Sequence, residues 1–344
     1  MSPEITVLID YKGQLYCPHK RTAQATDLAH TERLFAAQGI RQVVRNFEDL
    51  DLRTEDFRDR WVLYQSSQDP GLHYKSYIED VILALHLQGA RLMPEFHLFR
   101  AHHNKVFMEL LRDICGEPAL QSVRARHFGT FDAFDKVADD LQYPVVLKAA
   151  AGDSGRGVRL ARNANEARDA ARILSWTPAP RSLRLNLVRK ATVAGFRPDS
   201  WRRGKFIVQD FIPGLDRDYK CLAFGDRYFW EERGTRPGDF RASGSAVERV
   251  WPKEEPPGLL DFLETAFRTF DAPWASIDVM HDGAAFHLGE IQFLRFGTKP
   301  LKEAPHHWRR GDGGAWERVD EVRIWEEELV RAAVQFMNRR KVSR

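Results

Sequence analysis

Along residues 1–95, short runs of apolar and β-branched side chains alternate with longer stretches in which apolar positions return every three or four residues. The runs Ile5-Thr-Val-Leu-Ile-Asp10, Arg41-Gln-Val-Val-Arg45, Trp61-Val-Leu-Tyr64 and Ala90-Arg-Leu-Met93 read as strands, and Asp27 to Gln38 and Tyr77 to Leu87 as helices. Strand alternating with helix predicts a small parallel α/β domain. Further along, Val145–Leu147, Val158–Leu160, the run from Lys205 to Ile212 and a pair within Ala275–Gln292 read as strands. A turn at Asp282-Gly283 joins the last pair. From Glu317 to Arg340, the positions Val319, Val322, Ile324, Trp325, Leu329, Ala332, Ala333 and Phe336 follow helical spacing and predict a terminal helix packed on the core, dimerisation being the weaker alternative. The whole is an α/β chain with subdomains at 1–95, 96–204 and 205–344.

Polar residues set on this frame suggest chemistry. In Tyr143-Pro-Val-Val-Leu-Lys148-Ala-Ala-Ala-Gly152-Asp-Ser154-Gly155-Arg-Gly157-Val, an apolar strand delivers one lysine just before a glycine-rich turn. A lysine on a rigid strand neutralises phosphate oxygens, and glycines let backbone N–H groups approach a polyphosphate closely. This is not a Walker A loop, in which the lysine follows the glycines and opens a helix. A plain hairpin with a solvated lysine is the alternative reading. Downstream, Asp278 and Glu290 fall opposite one another on the two strands around Asp282-Gly283. Hard oxygen ligands in that arrangement suit Mg²⁺ shared with ATP phosphates. Between these sites, Lys205-Phe-Ile-Val-Gln209-Asp210-Phe211-Ile212-Pro-Gly214 offers an apolar slot and amide groups of the kind an adenine edge requires.

Lys148 with its glycine loop, the Gln209 hinge, Arg233, the loop Asp239-Phe-Arg241-Ala-Ser243-Gly244, Asp278 and Glu290 occur in the order seen in ATP-grasp enzymes. Over about residues 95–300 the chain resembles the carboxylate–amine ligases of that superfamily, such as the ribosomal-protein glutamate ligases and, more distantly, D-alanine:D-alanine ligase. His103-Asn104-Lys105 matches the position of a first phosphate-binding lysine. The resemblance implies an ATP-grasp fold behind an N-terminal domain, with ATP held by Lys105, Lys148, Gly152, Ser154, Gly155, Gly157, Gln209, Asp210, Phe211, Ile212, Asp218 and Lys220. It implies two Mg²⁺ ions on Asp278, Glu290 and Gln292. It further implies that a carboxylate is activated as an acyl phosphate and attacked by an amine, with Arg233 and Arg241 at the rim stabilising the developing charge, Ser243 near substrate, and residues 234–245 closing over ATP. The sequence departs from the family at Gln292, where asparagine is usual, and at Lys220, where arginine is common. An ATP-grasp kinase and a nucleotide-binding regulator without catalysis remain alternatives.

Composition narrows the setting. The chain has 344 residues, 43% of them hydrophobic, and a net charge of +3, too mild to call for nucleic acid. No apolar run is long enough to span a bilayer and the first residues lack a secretory pattern, so a soluble, cytoplasmic protein is expected; small carboxylate and amine substrates are what the resemblance implies. Cys17, Cys115 and Cys221 have neither metal-ligand spacing nor an even number for disulfides. Gln65-Ser66-Ser67 follows a parallel strand, where ligands of such sheets bind. Ser66, Tyr74 and Lys75 are therefore substrate candidates, a polar loop and helix cap being the alternative. Residues 176–204 are rich in arginine and read as a solvated, partly helical excursion, binding of an anionic acceptor being the alternative. His306-His307-Trp308 reads as a loop in reach of substrate.

Overall fold

The computed structural model describes residues 3–16, 25–152, 157–177, 180–215, 217–234, 249–321 and 323–342. These fall into two compact units, one of residues 3–102, 217–234 and 249–342, the other of residues 103–215.

The first unit begins with β1 (Glu4–Ile9), β2 (Arg41–Asn46), β3 (Trp61–Leu63) and β4 (Arg91–Met93), all parallel in the order β2-β1-β3-β4. Parallel strands covered on both faces need apolar side chains on both, and Ile5, Val7, Leu8, Val62, Leu63 and Leu92 are all buried. The helix Leu28–Ala37 starts where the Asp27 carboxylate accepts the His30 N–H. The helix His73–Gln88 stops at Gly89, whose φ of 90° favours a residue without a β-carbon.

The second unit carries β5 (Ala125–Phe128), β6 (Val145–Ala149), β7 (Val158–Ala161) and β8 (Phe206–Asp210) as an antiparallel sheet in the order β5-β8-β6-β7. Its core is Phe128, Phe134, Val145, Leu147, Ala161, Phe206 and Val208, backed by the helix Ala164–Leu174. The arginine-rich stretch contains the helix Pro180–Thr192, on which Leu187 and Val188 are exposed.

The first unit resumes with β9 (Arg217–Phe224), β10 (Arg227–Gly234), β11 (Arg249–Val250), β12 (Trp274–His281), β13 (Phe286–Gln292), β14 (His307–Arg310) and β15 (Trp316–Val319). They form an antiparallel sheet in the order β13-β12-β9-β10-β14-β15, with β11 on β10. Phe224, Trp274 and Leu222 of this sheet share one core with Ile5, Val7 and Trp61 of the parallel sheet and with Trp325, Leu329 and Phe336 of the terminal helix.

Two expectations change. The terminal helix spans Trp325–Val342 rather than starting at Glu317, because Trp316–Val319 pairs with β14 as a strand; Val322 lies outside the described residues. Glu326–Glu328 in its first turn and Arg339–Lys341 in its last complement the helix dipole. His307 is on a strand rather than a loop and is 0% exposed, packed on Phe229, so it cannot touch a substrate.

Burial and the neighbouring Arg227 push the His307 imidazole down to about 3. The folded protein therefore keeps it neutral, whereas the unfolded chain protonates it below about pH 6.5. Between those values the unfolded state binds the extra proton, so stability falls as pH falls, by up to about 1.4 kcal/mol per pH unit. Replacing His307 with Gln is expected to flatten the curve of stability against pH in urea unfolding over this window; an unchanged slope would refute the assignment.

Among the described residues no helix is long and apolar enough to cross a membrane.

Candidate functional site

In the second unit, the alternation along β6 buries Val145 and Leu147 and leaves Lys148 half-buried, paired in register with Val158 on one side and Ile207 on the other. The strand leads into Gly152, at φ 130°. Where the chain returns, a β-carbon at Gly157 would come within 2.9 Å of the Ala149 β-carbon, so the hairpin closes tightly only with glycine there. Ser154 and Gly155 lie outside the described residues. Lys105 opens the helix Lys105–Ile114, which Asn104 caps through the Phe107 N–H. Its backbone N–H donates to the Ala150 carbonyl at 2.8 Å, and its Nζ donates to the Gly152 carbonyl at 3.1 Å. Lys105 is thus fastened to the glycine turn. Lys205, which the sequence reading did not single out, donates to Asn104 Oδ1 at 2.8 Å and adds a cation beside that helix start.

On β8, Gln209 is 3% exposed and its amide nitrogen is buried without a hydrogen-bond partner. A buried donor left unmatched costs roughly 1–3 kcal/mol, and an acceptor on a heteroaromatic edge would relieve it. Asp210 ends the strand exposed, and its N–H donates to the Arg124 carbonyl. Phe211 and Ile212 follow, half-buried, before the turn at Gly214.

In the first unit, the cross-strand register places Glu231, Lys220, Asp278 and Glu290 in one row across β10, β9, β12 and β13. Period-2 alternation puts Arg233, Asp218, Ser276 and Gln292 on the same face. Lys220 Nζ donates to Ser276 Oγ at 2.8 Å and lies 3.5 Å from Asp278 Oδ1. Arg233 forks onto Asp218, Nε to Oδ1 at 2.7 Å and Nη2 to Oδ2 at 2.5 Å, and the same Nη2 reaches Asp278 Oδ1 at 3.3 Å. Burial pushes the Asp218 carboxyl up to about 6 against the pull of Arg233. Burial works the same way on Asp278, but Lys220 and Arg233 outweigh it and hold its carboxyl below the usual range.

The row also holds an acid that the sequence reading passed over. Glu231 is 0% exposed, accepts from Arg249 through Oε1, and has a buried Oε2 with no partner. Burial raises its pKa. Its spacing two before Arg233 on an alternating strand was the available signal.

Asp278, Glu290 and Gln292 offer hard oxygens on adjacent strands. The Gln292 amide nitrogen donates to Glu290 Oε1 at 3.1 Å, leaving its carbonyl unspent in that contact. Among the described residues no group of three or more His, Cys, Asp or Glu side chains is arranged to enclose a metal ion. The donors therefore fit Mg²⁺ as part of a coordination shell completed by other oxygens, and do not form a cage.

The sequence and the fold were compared with known proteins. Residues 104–180 match the family described as carbamoyl-phosphate synthase L chain, ATP binding domain. No curated protein matches the sequence. Among solved structures, D-cycloserine synthetase DcsG is 13% identical and aligns over 96% of this chain and 99% of its own, with a TM-score of 0.54. A RimK domain ATP-grasp protein from Sphaerobacter thermophilus DSM 20745 is 13% identical over 96% and 98%, with a TM-score of 0.50. D-alanine–D-alanine ligase from Bacillus anthracis is 12% identical over 100% of both, with a TM-score of 0.50. The fold is the ATP-grasp fold.

The family match on this ATP-grasp chain covers Lys105, Lys148, Gly152 and Gly157 and ends before Gln209 and the row of acids. Expected at a rim, Arg233 is instead 4% exposed, with its fork on Asp218 and its Nη2 also 3.3 Å from Asp278 Oδ1. Arg241 and Ser243 lie outside the described residues. Of the substrate candidates, Ser66 is 1% exposed and donates to the Ser67 carbonyl, Lys75 is buried and paired with Glu79 at 2.6 Å, and the Tyr74 hydroxyl accepts the Tyr11 N–H. Lys75 thus faces the interior of its helix packing, beside Phe99.

Proposed function

We propose that the protein is an ATP- and Mg²⁺-dependent ligase that activates a carboxylate as an acyl phosphate and couples it to an amine. The observation that carries this reading is the pairing of Asp278 with Glu290 in register, flanked by Lys220 and Arg233, in a chain of ATP-grasp fold.

Lys105 and Lys148 offset charge on the phosphates, and the unmatched Gln209 amide donates to the adenine edge. Asp278 and Glu290, with the Gln292 carbonyl, would hold Mg²⁺, which when bound would offset the charge spread over the transferring phosphoryl oxygens. Lys220 and Arg233 lie next to Asp278 and oppose a bare cation, so metal is favoured only together with the negative phosphates. One carboxylate oxygen attacks the γ-phosphorus and the bond to ADP breaks. The amine nitrogen then attacks the acyl carbon, the C–O bond breaks, phosphate departs with that oxygen, and the amine proton passes to solvent. The loop expected to close over ATP, residues 234–245, lies outside the described residues from Thr235 onward.

Incubating pooled carboxylates and amines with enzyme, Mg²⁺ and ATP tests this by mass spectrometry. A condensed product formed with ADP and phosphate supports the ligase, whereas a product heavier by one phosphoryl group identifies a kinase and overturns it. Lys148→Ala is expected to lower kcat/KM for ATP about 10–100-fold with little change in unfolding temperature; an unaltered value would remove Lys148 from the phosphate site.

A further inference from the structure

A surface helix normally turns its apolar side inward and its polar side to water. Over its described side chains, the helix Pro180–Thr192 of the second unit does the reverse. Asn186 is 8% exposed, and its amide nitrogen has no hydrogen-bond partner among the described residues. Leu185, Leu187 and Val188 are 48%, 62% and 54% exposed. At about 3.6 residues per turn, Leu187, Ala191, Val188 and Leu185 follow one another around the side opposite Asn186. Arg189 and Lys190, both exposed, stand at the two edges of that arc.

The base of this excursion is fixed to the second unit. Thr177 N–H donates to the Trp201 carbonyl at 2.8 Å, and Gly204 N–H donates to the Ser175 carbonyl at 2.9 Å. Trp176 is exposed, meets Trp201 edge-on with 6.1 Å between ring centres, and has the Arg202 guanidinium over its ring at 5.3 Å. An indole with a cation over it and one side in water suits a boundary between water and an apolar phase. Residues 176–204 hold seven arginines and lysines against one acid, Asp199. A surface of negative charge complements that balance.

We infer that the helix Pro180–Thr192 docks the protein on an anionic lipid surface. Leu185, Leu187 and Val188 enter the boundary between headgroups and acyl chains, and Arg189 and Lys190 stay at the level of the phosphates. A second copy of the chain would set like charge against like charge. Nucleic acid gains nothing from an aliphatic arc, because its phosphates call for an unbroken cationic track. A protein partner would have to offer an acidic groove shaped to a convex helix, whereas lipid closes around one. Three aliphatic side chains and a few cations give reversible attachment and no permanent anchor. Docking needs neither ATP nor substrate, so it stands apart from the ligase reading.

Sedimentation of the full chain with vesicles, in the absence of ATP, tests this. The protein is expected to pellet with vesicles of phosphatidylcholine containing about one-third phosphatidylserine, and to stay in solution with phosphatidylcholine alone. Each basic side chain near such a surface strengthens binding about fivefold, so Arg189→Gln with Lys190→Gln is expected to weaken the partition about 25-fold. Leu187→Ser with Val188→Ser is expected to weaken it about tenfold to a hundredfold. The unfolding temperature should not move, since both side chains already face water in the free protein. Failure to bind the anionic vesicles, or binding that the loss of Leu187 and Val188 leaves unchanged, overturns the inference. A dimer in solution that the same two substitutions dissociate also overturns it, by making this face a contact between copies of the chain.

Discussion

Replacing Glu290 with alanine is expected to lower ATP turnover about 10²–10³-fold while leaving the unfolding temperature within about 2 °C of the parent. Glu290 faces Asp278 across the hairpin and accepts a hydrogen bond from the Gln292 amide at 3.1 Å. The carboxylate matters for the charge it adds to a site where Asp278 is already balanced by Lys220 and Arg233. In calorimetry, Mg²⁺ alone is expected to give no binding heat and MgATP to bind, because the two cations oppose a bare metal ion. Glu290→Ala should weaken MgATP binding and leave metal-free nucleotide binding to the lysines largely intact. Full activity in the variant would mean that the metal is held elsewhere.

Arg233→Met carries the largest expected effect on stability. It would leave Asp218, 3% exposed, without the fork that offsets its burial, and would remove one of two cations beside Asp278. Breaking a buried ion pair from one side costs about 3–5 kcal/mol. For a body of this size that is a fall in unfolding temperature on the order of 10 °C. Adding Asp218→Leu removes the stranded charge and is expected to recover most of the loss, yet not the activity, since Asp278 would still lack its neighbour. A single variant melting within about 2 °C of the parent would show that Arg233 and Asp218 are not coupled as described.

Local patterns carried much of the fold into view. The four strands of the parallel sheet stand where the apolar runs stood, and the Asp282-Gly283 turn set a register in which Asp278 meets Glu290. The irregularity in register between Asp278 and Val279 leaves Gly289 as the extra residue on β13, and a lone glycine inside a strand was its mark in the sequence. Pairings distant in the chain were harder to read. Glu317–Val319 looked like the start of a helix because Val319 falls into helical spacing with Val322 and the apolar positions beyond it, although Gly311-Asp312-Gly313-Gly314 marks the turn that pairs this stretch with β14. His306 and His307 suggested a ligand-facing loop, whereas the aromatic ring of Phe229 and the strand around it bury His307. Arg233 was visible as a functional arginine, but its commitment to Asp218 follows from the β9–β10 register, which counting back from the turn at Gly225-Asp226 would have revealed. The same count would have drawn Glu231 into the row with Lys220 and Asp278.

The most direct test of the ligase account is to label the pooled carboxylates with ¹⁸O, supply ATP, Mg²⁺ and amines, and measure the isotope content of the phosphate formed. Attack by the carboxylate on the γ-phosphorus predicts phosphate carrying one ¹⁸O per turnover and a product that has lost one. Unlabelled phosphate, or a phosphoryl group retained on the product, would contradict it.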